Sequence, residues 1–200
     1  FNSFSQRRKS LDKAFWEGMD MIATLILAHL LADFPLQTNT IAINKSKSLR
    51  GLLVHVFVYV AATWALLGFQ YRFWFLVGCL GLSHFFVDSI KVKGNPQSVP
   101  LFILDQAAHL AFILVIGTNV DPTHGAFAPL LKQPLLNFSL LVAACLAVMV
   151  MFWLWANNLN DDTLSRYSSL RWGRKSLLEL EQRTGFGLIC FLGIGVMLIR

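Results

Sequence analysis

Apolar residues fall along this chain in six blocks, separated by short breaks rich in Asn, Gln, Lys, Gly and Pro. The blocks run from about Met19 to Leu36, Gly51 to Phe69, Arg72 to Ile90, Leu101 to Thr118, Leu135 to Trp155 and Phe186 to Ile199. At about 1.5 Å per residue the first five are long enough to cross about 30 Å of hydrocarbon, and the sixth is short for the task. The pattern predicts six membrane helices. Pro35 and the polar turn Gln37-Thr38-Asn39 end the first, and Asn119, Asp121 and Pro122 close the fourth. The connections after the first and third blocks are short, so these segments pair as helical hairpins.

Three regions follow. Residues 1–18 carry Arg7, Arg8, Lys9 and Lys13 with no apolar core before Met19, and read as a basic tail at the membrane surface rather than a leader. Residues 19–118 form a four-helix membrane core. Residues 119–200 add two helices and, between them, a polar segment at 157–183, where Trp172, Leu177, Leu178 and Leu180 interrupt the charges. That mixture predicts an amphipathic helix lying in the interface.

Composition agrees with this reading: 56% hydrophobic and only 14% charged residues, with a mean hydropathy of +0.57, describe an all-α polytopic transmembrane bundle rather than a soluble domain. The net charge of +6 comes from basic residues flanking apolar blocks. It suits anionic membrane lipids and argues against nucleic acid. Counting Lys and Arg gives ten on the side of the first, third and fifth loops against seven on the other, a weak preference for cytoplasmic odd loops. Cys79, Cys145 and Cys190 stand singly in apolar blocks, in no metal-type spacing, and read as buried thiols.

The chemistry lies where a membrane helix should have none. His29, Asp33, His55, His84, Asp88, Asp105 and His109 all fall inside apolar blocks, and ionisable groups at membrane depth cost about 2.5–3.5 kcal/mol each on insertion scales. Because successive helices alternate in direction, all seven sit near the ends facing the odd loops, at one depth. Three pairs, His29/Asp33, His84/Asp88 and Asp105/His109, are four residues apart and so share a helix face. Imidazoles and carboxylates without cysteine fit a divalent metal: zinc first, with iron or manganese as alternatives. Seven donors suffice for two ions, in the manner of helical bundles with di-metal sites. The four histidines are the expected nitrogen ligands. Asp33, Asp88 and Asp105 are expected as carboxylate ligands or as the catalytic base.

Above this depth, Gln37, Asn39, Lys45, Lys47, Lys91 and Lys93 are candidates for holding an anionic headgroup. Asp20 reads as an N-terminal dipole partner of the first helix, Asp121 as part of a turn before Pro122, and His124 as a solvated loop residue. Gly78, Gly81, Gly187, Gly193 and Gly195 would allow close helix contacts.

The run Ala28-His29-Leu30-Leu31-Ala32-Asp33-Phe34-Pro35-Leu36-Gln37-Thr38, with Leu53-Val54-His55, Ser83-His84-Phe85-Phe86-Val87-Asp88-Ser89-Ile90-Lys91 and Leu104-Asp105-Gln106-Ala107-Ala108-His109, resembles an uncharacterised family of bacterial polytopic membrane proteins known only as a domain of unknown function. The match covers about Met21 to Thr118. It implies a multi-pass protein of the bacterial inner membrane and no assigned chemistry. More distantly, histidines and aspartates in a small multispan bundle are similar to membrane-bound metal-dependent hydrolases, an analogy of fold. The leading functional expectation is metal-dependent hydrolysis of a lipid-linked or amphiphilic ester or phosphoester, the ion generating hydroxide and polarising the scissile group. Two alternatives stand beside it. One is a divalent-cation or proton transporter. The other is a non-enzymatic accessory or assembly subunit, docking through the fifth and sixth helices into a homo-oligomer or larger complex.

Overall fold

The computed structural model describes residues 2–95, 97–120 and 130–199, and among them the regular secondary structure is all helix, with no strand. The sites of Asp121 and His124 lie outside the described residues. In order, the helices are α1 (Asn2–Asp33), α2 (Asn39–Lys47), α3 (Leu49–Leu66), α4 (Trp74–Lys91, preceded by one 3-10 turn at Tyr71–Phe73), α5 (Val99–Thr118), α6 (Gln133–Asn157), α7 (Asp161–Arg166) and α8 (Ser168–Ile199). Five stretches are long and apolar enough to cross a membrane: Gln6–Asp33, Leu49–Leu66, Tyr71–Lys91, Val99–Thr118 and Gln133–Asn157.

Local chemistry sets the boundaries. The residue before a proline is pushed out of helical geometry, and α1 stops just ahead of Phe34-Pro35. The Ser48 hydroxyl accepts from Gly51 N at 3.0 Å to cap α3, and the Ser98 hydroxyl accepts from Leu101 N at 3.3 Å to cap α5, which takes Pro100 in its first turn. Helix α2 occupies what the sequence reads as a polar loop. The Thr38 hydroxyl caps it by accepting from Ile41 N. Its end folds back so tightly on α3 that a Cβ on Gly51 would lie 2.2 Å from the Asn44 carbonyl oxygen. Only glycine admits that approach.

Helices α1, α3, α4 and α5 form a closed ring in which each packs on the next and α5 returns to α1; α6 packs on the outside of α1, and α8 on α6. Helix α1 is therefore buried on two sides. Toward the ring, Met21 and Leu25 join Tyr59, Leu76, Leu80 and Ile113; toward α6 and α8, Leu27, Ala28 and Leu31 join Leu136, Ala143, Leu146 and Leu188. Large apolar side chains such as Phe57, Phe75, Leu104 and Leu141 cover the outer faces, as on helices that meet lipid.

Several expectations change. The basic N-terminal stretch is helix, continuous with the first membrane span, so Asp20 is not near a helix start; it accepts a hydrogen bond from the Gln133 amide of α6. The polar segment 157–183 is helical as expected, but not as one helix. It divides into α7 and the first half of α8, which runs without a break into the sixth apolar block. Cys145 and Cys190 lie exposed on the outer surface rather than buried. Of the glycines expected at close contacts, Gly81 meets Val60 and Gly195 meets Leu135, while Gly78, Gly187 and Gly193 meet nothing within 4 Å.

Candidate metal centre

Four donor atoms from three helices of the ring gather at one point. His55 Nε2 of α3 lies 3.0 Å from His84 Nε2 of α4. Asp33 Oδ1, at the end of α1, is 3.3 Å from each of these nitrogens. Asp88 Oδ2, one turn along α4 from His84, is 3.1 Å from His55 Nε2 and 3.4 Å from His84 Nε2. Bonds of about 2.0 Å to a tetrahedral ion place ligand atoms about 3.3 Å apart, and the Asp33, His55 and His84 atoms, 3.0–3.3 Å apart, have that spacing, with Asp88 Oδ2 beside the two imidazoles. The side chains are 0–6% exposed.

The hydrogen-bond geometry points the same way. Asp33 Oδ1 has no hydrogen-bond partner although two imidazole nitrogens lie 3.3 Å away, and His109 Nε2 has none although Asp105 Oδ1 is at 3.5 Å and Asp88 Oδ1 at 3.9 Å. These two atoms are free to meet a bound ion, whereas His55 Nε2 and His84 Nε2 are in hydrogen-bond geometry with each other. Buried polar atoms left in that state call for an explanation such as a bound ion. Three donor sets bring ligand atoms within 4.8 Å of one another: His29, His84 and His109; Asp33, His55 and His84; and Asp33, Asp105 and His109. The buried His/Asp groups can thus hold a metal ion.

Around this set lies a shell that fixes it. The Gln106 amide nitrogen donates to Asp33 Oδ2 and to Asp105 Oδ2, each at 3.1 Å, while its oxygen lies 3.2 Å from His29 Nε2. One side chain thereby ties α1 to α5. Tyr59 stacks on His84, with ring centroids 4.2 Å apart, and His109 stacks on its other neighbour face at 4.2 Å. Lys45, 7% exposed, places Nζ at 3.3 and 3.4 Å from the two oxygens of Asp88. Lys91 pairs with Asp105 Oδ2. Below the donors the ring closes with apolar side chains. Thr24 and Thr63, the polar residues of that half, spend their hydroxyls on the carbonyls of Asp20 and Tyr59.

A cavity of about 550 Å³ reaches the centre at Asp33, Gln106, Lys45 and Lys91. Its far wall is Val150, Trp153 and Leu154 of α6 with Leu178, Glu181 and Gln182 of α8. Helices that carry none of the sequence motifs therefore shape access to the centre. Glu181 is 3% exposed, and its Oε1 lacks a hydrogen-bond partner. Burial pushes its carboxyl up to about 7.

The seven His/Asp donors expected from the sequence converge. The six headgroup candidates divide: Gln37, Asn39, Lys45 and Lys91 line the cavity, with Asn39 Oδ1 accepting from Gln182 at 2.7 Å. Lys47 and Lys93 are exposed and do not line it. Gln106, Tyr59 and Glu181 join the site without being among the residues expected from the sequence. Gln106 lies beside Asp105 in the motif, a signal that was available; Glu181 sits in a charged stretch with nothing to mark it. No curated protein and no solved structure matches the chain. A family model does match, over residues 21–136, a stretch that takes in α1 from Met21, all of α2 to α5 and every donor of the centre. The chain accordingly belongs to the DUF3307 family, a protein family of unknown function.

Proposed function

We propose that this protein is an intramembrane metal-dependent hydrolase acting on an amphiphilic ester, most simply a phosphoester. The observation that carries this reading is the buried cluster of Asp33, His55, His84 and Asp88, which meets, through Asp33, a cavity of mixed apolar and polar lining. Zinc suits two imidazoles and two carboxylates. When bound there, the ion supplies Lewis-acid polarisation and an acidified water.

The chain's own residues supply the rest. Asp33, Asp88 and Asp105 carry three negative charges, and Lys45 and Lys91 return two. One dication then leaves the centre at about +1, suited to an anionic substrate group; this balance favours one ion over two. Gln106 orients Asp33 and Asp105, as partners behind a ligand do. His109 Nε2, 3.5 Å from Asp105 Oδ1 and without a hydrogen-bond partner, is placed to accept a proton as a general base. The cavity's lysines meet the anionic group and its apolar walls meet the tail.

A transport pathway needs polar groups continuing to the opposite face, and the buried Leu, Ile and Met side chains beneath Tyr59 supply none. Elemental analysis of detergent-purified protein tests the reading. Stoichiometric zinc, lost in His84→Ala together with cleavage of a chromogenic long-chain phosphodiester, is the expected result. Metal-free protein after purification in zinc-supplemented buffer, or cleavage unchanged in His84→Ala, overturns it.

A further inference from the structure

The cavity has a polarity that the metal centre does not use. Lys45 and Lys91, paired with Asp88 and Asp105, line it, and so does Glu181, with Gln37 also on the wall. Four charged side chains line the space: Asp33, Lys45, Lys91 and Glu181. Three of them are committed, Asp33 to His55 and His84, Lys45 to Asp88 and Lys91 to Asp105. On Glu181's own helix, Glu179 and Arg183 pair with each other on the exposed side. Glu181 is thus left without a cation among the described residues, although it is 3% exposed. Its Oε1 and Gln37 Oε1 are buried acceptors with no hydrogen-bond partner.

A buried carboxylate without a partner is costly, so two acceptors bordering one cavity imply a ligand that brings donors. The charge pattern narrows the class. An anion fits the lysines, a cation with N–H groups fits Glu181, and Phe34, Phe102 and Leu178 give the same cavity apolar surface.

We propose that Glu181, helped by Gln37, recognises a primary ammonium group, so that the ligand of this cavity is a zwitterionic amphiphile with its phosphoester at the metal end and its ammonium at Glu181. The assignment of the phosphoester end rests on the hydrolase reading; the ammonium end rests on Glu181 alone.

Binding of short-chain phosphatidylethanolamine, phosphatidylcholine and phosphatidylglycerol to the detergent-purified full chain, followed by native mass spectrometry, tests this. The first carries an ammonium with N–H groups, the second a cation without them, the third hydroxyl donors without a cation. Wild type at pH 8 should favour phosphatidylethanolamine about tenfold over both others. Glu181→Gln, an isosteric change, should bind all three alike. The wild-type preference should shrink at pH 6, where the carboxyl is protonated. Equal binding by wild type, a preference for phosphatidylglycerol, or a preference that survives in Glu181→Gln each overturns the proposal. Repeating the titration on chelator-stripped protein separates the two readings. An ethanolamine preference that follows Glu181 in a protein that never binds zinc keeps this site and removes the hydrolase; zinc bound without that preference does the reverse.

Discussion

Lys45→Met offers the sharpest view of the centre, because it removes a charge but keeps the length of the side chain. Its ammonium lies 3.3 Å from one Asp88 oxygen and 3.4 Å from the other, with both residues buried. At an effective dielectric of about 20, one such pair is worth roughly 5 kcal/mol of Coulomb attraction before desolvation is counted. Removing one partner of a buried pair typically costs about 3–5 kcal/mol. Metal-stripped Lys45→Met should therefore be destabilised by an amount of that order, read as the shift of an SDS- or heat-unfolding transition in detergent.

If Asp88 also binds the ion, the penalty must depend on metal. A dication supplies the missing positive charge, so the variant should recover part of its loss in saturating zinc. Linkage makes this reciprocal: whatever stability zinc restores must reappear as tighter zinc binding by Lys45→Met. A recovery of about 1.4 kcal/mol corresponds to a tenfold lower Kd. A competition titration with a chromogenic chelator measures that Kd independently. The reasoning is refuted if zinc binds wild type and variant equally and the destabilisation is the same with and without it. Asp88 would then be a structural partner of Lys45 and not a ligand.

Four further outcomes follow from the geometry. Gln106→Leu should leave metal bound but weaken it by roughly 10–100-fold, the usual cost of losing a group behind the ligands, in the same competition titration. Asp33→Asn should cost more than that, since Asp33 Oδ1 is 3.3 Å from both His55 and His84; retention of wild-type affinity would remove it from the donor set. Gly51→Ala forces a Cβ to within 2.2 Å of the Asn44 carbonyl, and overpacking of this kind costs about 1–3 kcal/mol. It should lower the melting temperature and, by displacing α2, expose Lys45 to amine-reactive labelling. Glu181 has a raised folded-state value, so its stability contribution is fully present below its ordinary value of 4.5 and is lost as pH rises through about 7. Glu181→Gln should match wild type near pH 4.5 and be the more stable of the two at pH 8, by thermal melts across that range.

How much of this was legible in the sequence depends on which interactions are local. The apolar blocks marked the spans because burial and lipid exposure act on every residue of a helix, and α3 to α6 begin and end close to where the blocks do. Helix α2 was not legible. Asn39–Lys47 has no apolar stripe, and it is held by the Thr38 cap and by the fold-back at Gly51. Likewise α8 joins a polar half to an apolar half, and composition reads such a change as a boundary where the backbone makes none. The basic stretch before Met19 continues α1 for the same reason.

The donor cluster was legible as a depth but not as a set of bonds. The spacing of four residues suggested three units within helices; His109 does keep Asp105 of its own helix as its nearest carboxylate, but Asp33 and Asp88 approach histidines of other helices more closely than their own. His29 Nδ1 is 4.0 Å from Asp33 Oδ1, whereas Asp33 Oδ1 is 3.3 Å from His55 on α3 and from His84 on α4. The lone His55 is thus central, and the paired His29 stands behind, held through Gln106. Had each pair served only to hide its own polarity from lipid, the shortest contacts would lie within helices and the four helices would have no electrostatic reason to meet at this level. Contacts of 3.0–3.3 Å between α1, α3 and α4 instead place the cost of burying seven ionisable groups on their mutual arrangement. Lys45 and Lys91 supply positive charge at its edges, from positions 43 and 14 residues away from their partners in the chain, and the buried His/Asp groups between them can hold a metal ion.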